Sequence, residues 1–188
     1  MSYDALAESI RLLEGTPPAS EARLSRRVRY LPLAADQEGD VAATMFLRRG
    51  VSGIPELDVH SLERTDDGWR MLGGSGGPGA AALELRPDRA SLHALAVSFG
   101  SGGTARSSSR SLGWAPDPWV WWAELRVARE VAELAVGDRR LPVAPHGLAV
   151  VVWTDRRPDI AAFDASGVFL GTVPLRNRSG MPLEYRDG

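Results

Sequence analysis

The sequence predicts a mostly β protein: a single antiparallel β-sandwich or barrel carrying a short N-terminal α-helix. Three observations point there. Short apolar runs recur from Val28 to the C-terminal region. Clusters of Gly, Pro, Asp and Ser separate them at intervals of about ten residues. One stretch, residues 59–72, has the full pattern of a hairpin: an alternating strand, the turn Thr65-Asp66-Asp67-Gly68, and a return through Trp69-Arg70-Met71-Leu72.

The elements follow in order. Residues 2–14 read as a helix, with Leu6, Ile10 and Leu13 at helical spacing, Ser2 or Asp4 as cap, and Gly15 before Thr16-Pro17-Pro18 as the stop. Residues 20–27 are polar and link this helix to the rest. Val28, Tyr30 and Pro32 alternate with charged and apolar neighbours, as on a strand. Asp36-Gln37-Glu38-Gly39-Asp40 has turn composition. Residues 41–47 are apolar enough for a buried strand. Residues 73–79 and 100–111 read as Gly- and Ser-rich loops around two short apolar runs, 80–86 and 92–99. Residues 119–127 and 131–136 read as strands, although Leu125, Ala128 and Ala132 also suit a helix over 119–136. Residues 148–153 are a dense apolar run of the central-strand kind, and 160–163 pairs with 168–173 across Asp164-Ala165-Ser166-Gly167. The segment Ala-Phe-Asp-Ala-Ser-Gly-Val-Phe-Leu-Gly, residues 162–171, resembles the closing hairpin of immunoglobulin-like modules, which bears on fold class alone. The expected organisation is a helix and linker over 1–26, a β-rich domain over 27–176 and a tail over 177–188.

Composition narrows function by exclusion. The net charge is −2, which gives no electrostatic case for nucleic acid. Every basic side chain besides histidine is arginine, so a Walker A lysine, a Schiff base and a Ser–Lys dyad are out. The absence of cysteine removes disulfides, thiol catalysis and cysteine-ligated metals. Abundant Ala, Gly, Pro and Arg with a single Asn and a single Gln read as the coding bias of a GC-rich bacterium. The first residues lack a signal-peptide pattern and no apolar run spans a bilayer, so a cytoplasmic protein with no membrane partner is expected.

Several groups are candidates for chemistry or binding. Gly73-Gly74-Ser75-Gly76-Gly77 matches Gly-x-Ser-x-Gly, with Ser75 as the nucleophile of a small serine hydrolase and His93 or His146 as base. The same tract holds Gly74-x-Gly76-x-x-Gly79, a dinucleotide pattern interrupted by Pro78. Asp58 and His60 share a strand face and would need His93 as a third ligand to hold a metal. Arg106 and Arg110, set among serines, have the chemistry of a phosphate clamp. The densest signal is 114–122, with four of the six tryptophans in nine residues. On a strand, Trp119 and Trp121 share a face with Leu125, and Trp122 shares the other with Glu124 and Arg126. That reading buries the first face and exposes Trp122, with Trp114, as a platform for a protein partner or a sugar. The reading that results is a non-catalytic intracellular interaction or ligand-binding module with Trp114, Trp122, Arg106 and Arg110 as its contacts, no cofactor, and an unidentified protein or a second copy as partner. The alternatives are the Ser75 hydrolase and a carbohydrate-binding sandwich.

Overall fold

A computed structural model describes residues 3–106 and 118–175. Eleven strands form three antiparallel sheets that stack as a sandwich, with no closed barrel. The first sheet runs in sequence order: β1 (Tyr30–Glu38), β2 (Val41–Arg49), β3 (Pro55–Thr65) and β4 (Gly68–Pro78). The middle sheet is β5 (Ala96–Ala105), β6 (Trp119–Val127) and β9 (Leu148–Trp153), with β6 central. The third sheet has the order β11-β10-β7-β8, from β7 (Glu133–Val136), β8 (Arg139–Pro142), β10 (Ile160–Phe163) and β11 (Phe169–Thr172).

Stacking explains the sequence patterns. The middle sheet is covered on both faces, so β9 is buried at all six positions. Leu148, Val150 and Val152 pack with Val120 and Trp122 of β6 against Val41, Ala43, Met45, Leu47, Leu57 and Val59 of the first sheet. Ala149, Val151 and Trp153 pack with Ala123, Leu125 and Val127 against Leu134, Val136, Ile160 and Ala162 of the third. β2 is also buried on both faces, because the N-terminal helix α1 (Ala5–Leu13) covers the far side of the first sheet. There the Ser9 and Thr44 hydroxyls are hydrogen bonded at 2.7 Å, and the Tyr3 ring meets Phe46 edge-on at 5.9 Å. Asp4 caps the helix, its carboxylate accepting the Ala7 N–H at 3.1 Å. The most deeply covered positions are Ser9 and Leu12 rather than the expected Leu6, Ile10 and Leu13.

Two loop expectations are corrected. Residues 73–78 belong to β4 and 100–105 to β5. The reason lies across the ladder. Gly102 pairs with Trp122 and Gly103 with Trp121. A Cβ at Gly102 would sit 2.3 Å from the Trp122 ring, and one at Gly103 2.6 Å from the Trp121 ring. The indoles lie over a neighbouring strand that must be glycine to receive them. The strand reading of 119–127 holds, and the helical alternative over 119–136 is not formed.

One extra residue decides how the sheets meet. Pro32 pairs with Phe46 and Ala34 with Met45, so Leu33 is a bulge in β1. The bulge reverses the facing of everything after it. Asp36 and Glu38 then stand opposite Ala43 and Val41, on the face turned toward β9, instead of under the helix. The expected turn at 36–40 is therefore confined to Gly39-Asp40.

Candidate functional site

The first and middle sheets meet along two seams, and among the described residues neither is closed by a backbone ladder. At one seam β1 faces the outer edge of β9. The Asp36 carboxylate accepts the Val152 N–H at 2.9 Å and the Arg139 guanidinium at 3.0 Å. Arg139 also donates to the Val152 carbonyl at 2.9 Å and to Glu38 at 2.9 Å. Glu38 accepts the Thr154 N–H at 2.9 Å. Three side chains thus satisfy an edge that would otherwise present bare N–H and C=O groups. Burial pushes the Asp36 carboxyl up to about 6, against the opposing pull of Arg139 and the Val152 N–H.

At the other seam the outer edges of β4 and β5 face each other. They are close at one end: a Cβ at Gly73 would sit 3.0 Å from Thr104 Oγ1, and Ser61 of β3 donates to the Gly73 carbonyl and to Thr104 Oγ1, both at 3.3 Å. Beside them Arg106 donates to Glu63 of β3 at 2.7 Å. Toward the other end they part, leaving a cleft of about 440 Å³. Ser75, Gly76, Gly77 and Pro78 of β4 line one side, and Ser98, Phe99, Gly100 and Ser101 of β5 the other, with Leu57 and Glu124 below. Both strands are sheet edges among the described residues. Glycine keeps their backbones accessible. A Cβ at Gly77 would meet nothing within 4 Å.

The residues expected to act sit as follows. Trp122 is 3% exposed and packed in the core between sheets, so its place in an exposed platform is corrected. β6 is covered on both sides, and the exposed indole is Trp119, 43% exposed and stacked on Trp121 at 5.4 Å. Arg106 is ion-paired with Asp40 and Glu63, which occupy the fork that a phosphate would need. Trp114 and Arg110 lie outside the described residues.

Ser75 pairs with Val59 in the middle of β4 and does not stand on a strand-to-helix elbow. His60 is on the opposite face of the sheet, and the cleft that Ser75 lines contains no histidine. The dinucleotide glycines lie in the same strand or just beyond it. Asp58 is held by Arg48, while His60 is hydrogen bonded to the Tyr3 hydroxyl at 2.8 Å. His93 ends the short helix α2 (Arg89–Leu92) in a left-handed conformation. Among the described residues no group of three metal-ligating side chains forms. His146 is a turn residue as expected, its Nδ1 accepting the Leu148 N–H at 3.0 Å.

The fold and its clefts define an all-β protein of three antiparallel sheets with an open inter-sheet seam. Among the described residues, no helix is long and apolar enough to cross a membrane. No family model matches this chain, and no curated protein or solved structure is significantly similar to it. The cleft between β4 and β5 was missed in the sequence because glycine composition reads as loop. The signal that could have found it is the pairing of a Gly-rich run with a Trp-rich run.

Proposed function

We propose that the protein is a non-catalytic binding module that takes an extended polypeptide segment into the cleft between β4 and β5. The observation that carries this is the pair of facing, glycine-rich strand edges that part at residues 75–78 and 98–101. An extended segment entering there gains backbone hydrogen bonds from an edge, the mode known as strand addition. Ser75, Ser98 and Ser101 supply hydroxyls along the walls, and Phe99 and Leu57 supply apolar contact. The setting proposed for it is the cytoplasm of a GC-rich bacterium, with a protein partner supplying the segment.

The test is a peptide library displayed on phage, selected on the native protein and on Gly77→Val. Valine at 77 fills the cleft wall without a steric conflict at Cβ. The expected result is enriched peptides that bind the native protein, lose binding to Gly77→Val, and slow hydrogen exchange at Gly76, Gly77 and Ser101. No enrichment, or equal binding to both proteins, sinks the reading.

A further inference from the structure

A second cavity, of about 650 Å³, shares no lining residue with the cleft between β4 and β5. Its walls come from the 20–24 linker, the start of β3 at Pro55, residues 82–86, and Pro145-His146 before β9. Cavities of roughly 300–1,000 Å³ lined mainly by apolar groups with a few polar ones are the usual form of small-molecule sites. Leu24, Pro55 and Ala82 give this one its apolar wall, while Leu83 and Leu85, the latter 95% exposed, form an apolar lip.

The arginines of this cavity differ from those held in ion pairs elsewhere. Arg48, Arg70, Arg106 and Arg139 each face a carboxylate. Arg49, Arg86 and Arg126 make no ion pair among the described residues. Arg86 spends its donors on the carbonyls of Val127, Ala128, Val131 and Ala144. Arg126, behind the wall, donates to the carbonyls of Glu84, Leu85 and His146. Burial and mutual repulsion hold the Arg86 guanidinium below its ordinary value, and burial does the same to Arg126. Arg49 donates to the Gly53 carbonyl at 3.2 Å, and its buried Nε–H has no partner among the described residues. Glu21, Arg23 and Glu84 also line the cavity from exposed positions, and the Glu84 carboxylate pulls against the effect of burial on Arg126. A half-buried positive field beside an apolar wall is complementary to an anion that carries an apolar body.

We infer that this cavity is a binding site for an amphipathic carboxylate, with its head at Arg49 in the positive field of Arg86 and its apolar body along Leu24, Ala82 and Leu83. The ligand class is that of a medium-chain fatty acid.

Calorimetric titration of the full chain tests it with three probes kept below their aggregation limits: decanoate, decanol and inorganic phosphate. Decanoate should bind saturably at one site, with decanol and phosphate each at least about tenfold weaker, because each lacks half of the complementarity. Arg49→Gln should weaken decanoate about tenfold and reduce its salt dependence. Leu83→Glu puts a like charge on the exposed lip and should abolish binding with the melting temperature unchanged. Gly77→Val should leave decanoate binding intact, which separates this site from the cleft between β4 and β5. Absent decanoate binding overturns the inference. So does equal affinity for decanol, tighter binding of phosphate, loss of binding in Gly77→Val, or unchanged affinity in Leu83→Glu with Arg49→Gln either unchanged or unfolded.

Discussion

The two seams between the first and middle sheets are made from opposite materials. Where β1 meets β9, Asp36, Glu38 and Arg139 stand in for a missing ladder, and every bond that closes the gap comes from a side chain. Where β4 meets β5, the parting edges mix glycine with Ser75, Pro78, Ser98, Phe99 and Ser101, and among the described residues no charged side chain of either strand bridges them there. An edge that is capped by charges cannot accept another strand, whereas an uncapped edge keeps its backbone donors and acceptors. The difference teaches that the same sandwich is locked by side chains on one side and parts into two unladdered strand edges on the other.

If the locked seam depends on its charges, breaking it should be the most damaging change. Arg139→Met leaves the buried Asp36 carboxylate without its countercharge and should cost about 3–5 kcal/mol in urea unfolding at neutral pH. A loss under about 1 kcal/mol would mean that apolar packing of β9, not the charges, holds this side.

The next test asks whether packing beside the open seam is as demanding as the indoles imply. Trp122→Ala removes a ring from the core and should cost about 3–5 kcal/mol, whereas Trp119→Ala, at an exposed position, should cost about 1 kcal/mol or less. This order reverses the expectation from strand alternation alone. Gly102→Ala forces a methyl against the Trp122 ring and should cost about 1–3 kcal/mol. Thermal melts of the three variants measure the order directly.

Acid sharpens the contrast from the other direction. The Asp36 carboxyl in the folded protein sits at about 6, above its ordinary 3.8. Between those values the folded chain holds a proton that the unfolded chain has lost, so the Asp36 contribution makes stability fall as pH rises through that window. Urea melts across the window should show the falling contribution in the native protein relative to Asp36→Asn, where it should be absent. Matching pH profiles for the two proteins would contradict the buried state of Asp36.

The smallest effect on stability should come at the open seam. Gly77→Val has room for its Cβ and should shift stability by about 0.5 kcal/mol or less. The same variant is the one that should lose peptide binding, so a large loss of stability would show that the cleft is structural.

How much of this was legible in the sequence depends on the range of the interactions. The hairpin at 59–72 and the strands at 41–47, 148–153 and 160–163 carry their own local signals, and the structure has them. The stripe of Trp119 and Trp121 against Trp122 was correctly assigned to opposite faces. Alternation cannot say that both faces of β6 are covered, since that depends on two other sheets. Asp36-Gln37-Glu38 looks like a turn because the partners of its carboxylates, Arg139 and the edge of β9, lie more than a hundred residues away. Arg106 looks like a phosphate ligand until Glu63 and Asp40 are brought to it. Residues 73–77 look like a loop until their ladder with β3 is formed.

The bulge at Leu33 makes the facing of the seam a property of the ladder and not of residue count. Deleting that one residue would leave Pro32 opposite Phe46 and Ala34 opposite Met45 in plain alternation, so Asp36 and Glu38 would keep the face turned toward β9. Keeping the residue but ironing out the bulge would instead set Leu33 opposite Met45 and turn both carboxylates toward the helix side. A single in-frame codon loss at position 33 would therefore be felt as a missing apolar side chain in the core and pass unnoticed by the charges of the seam.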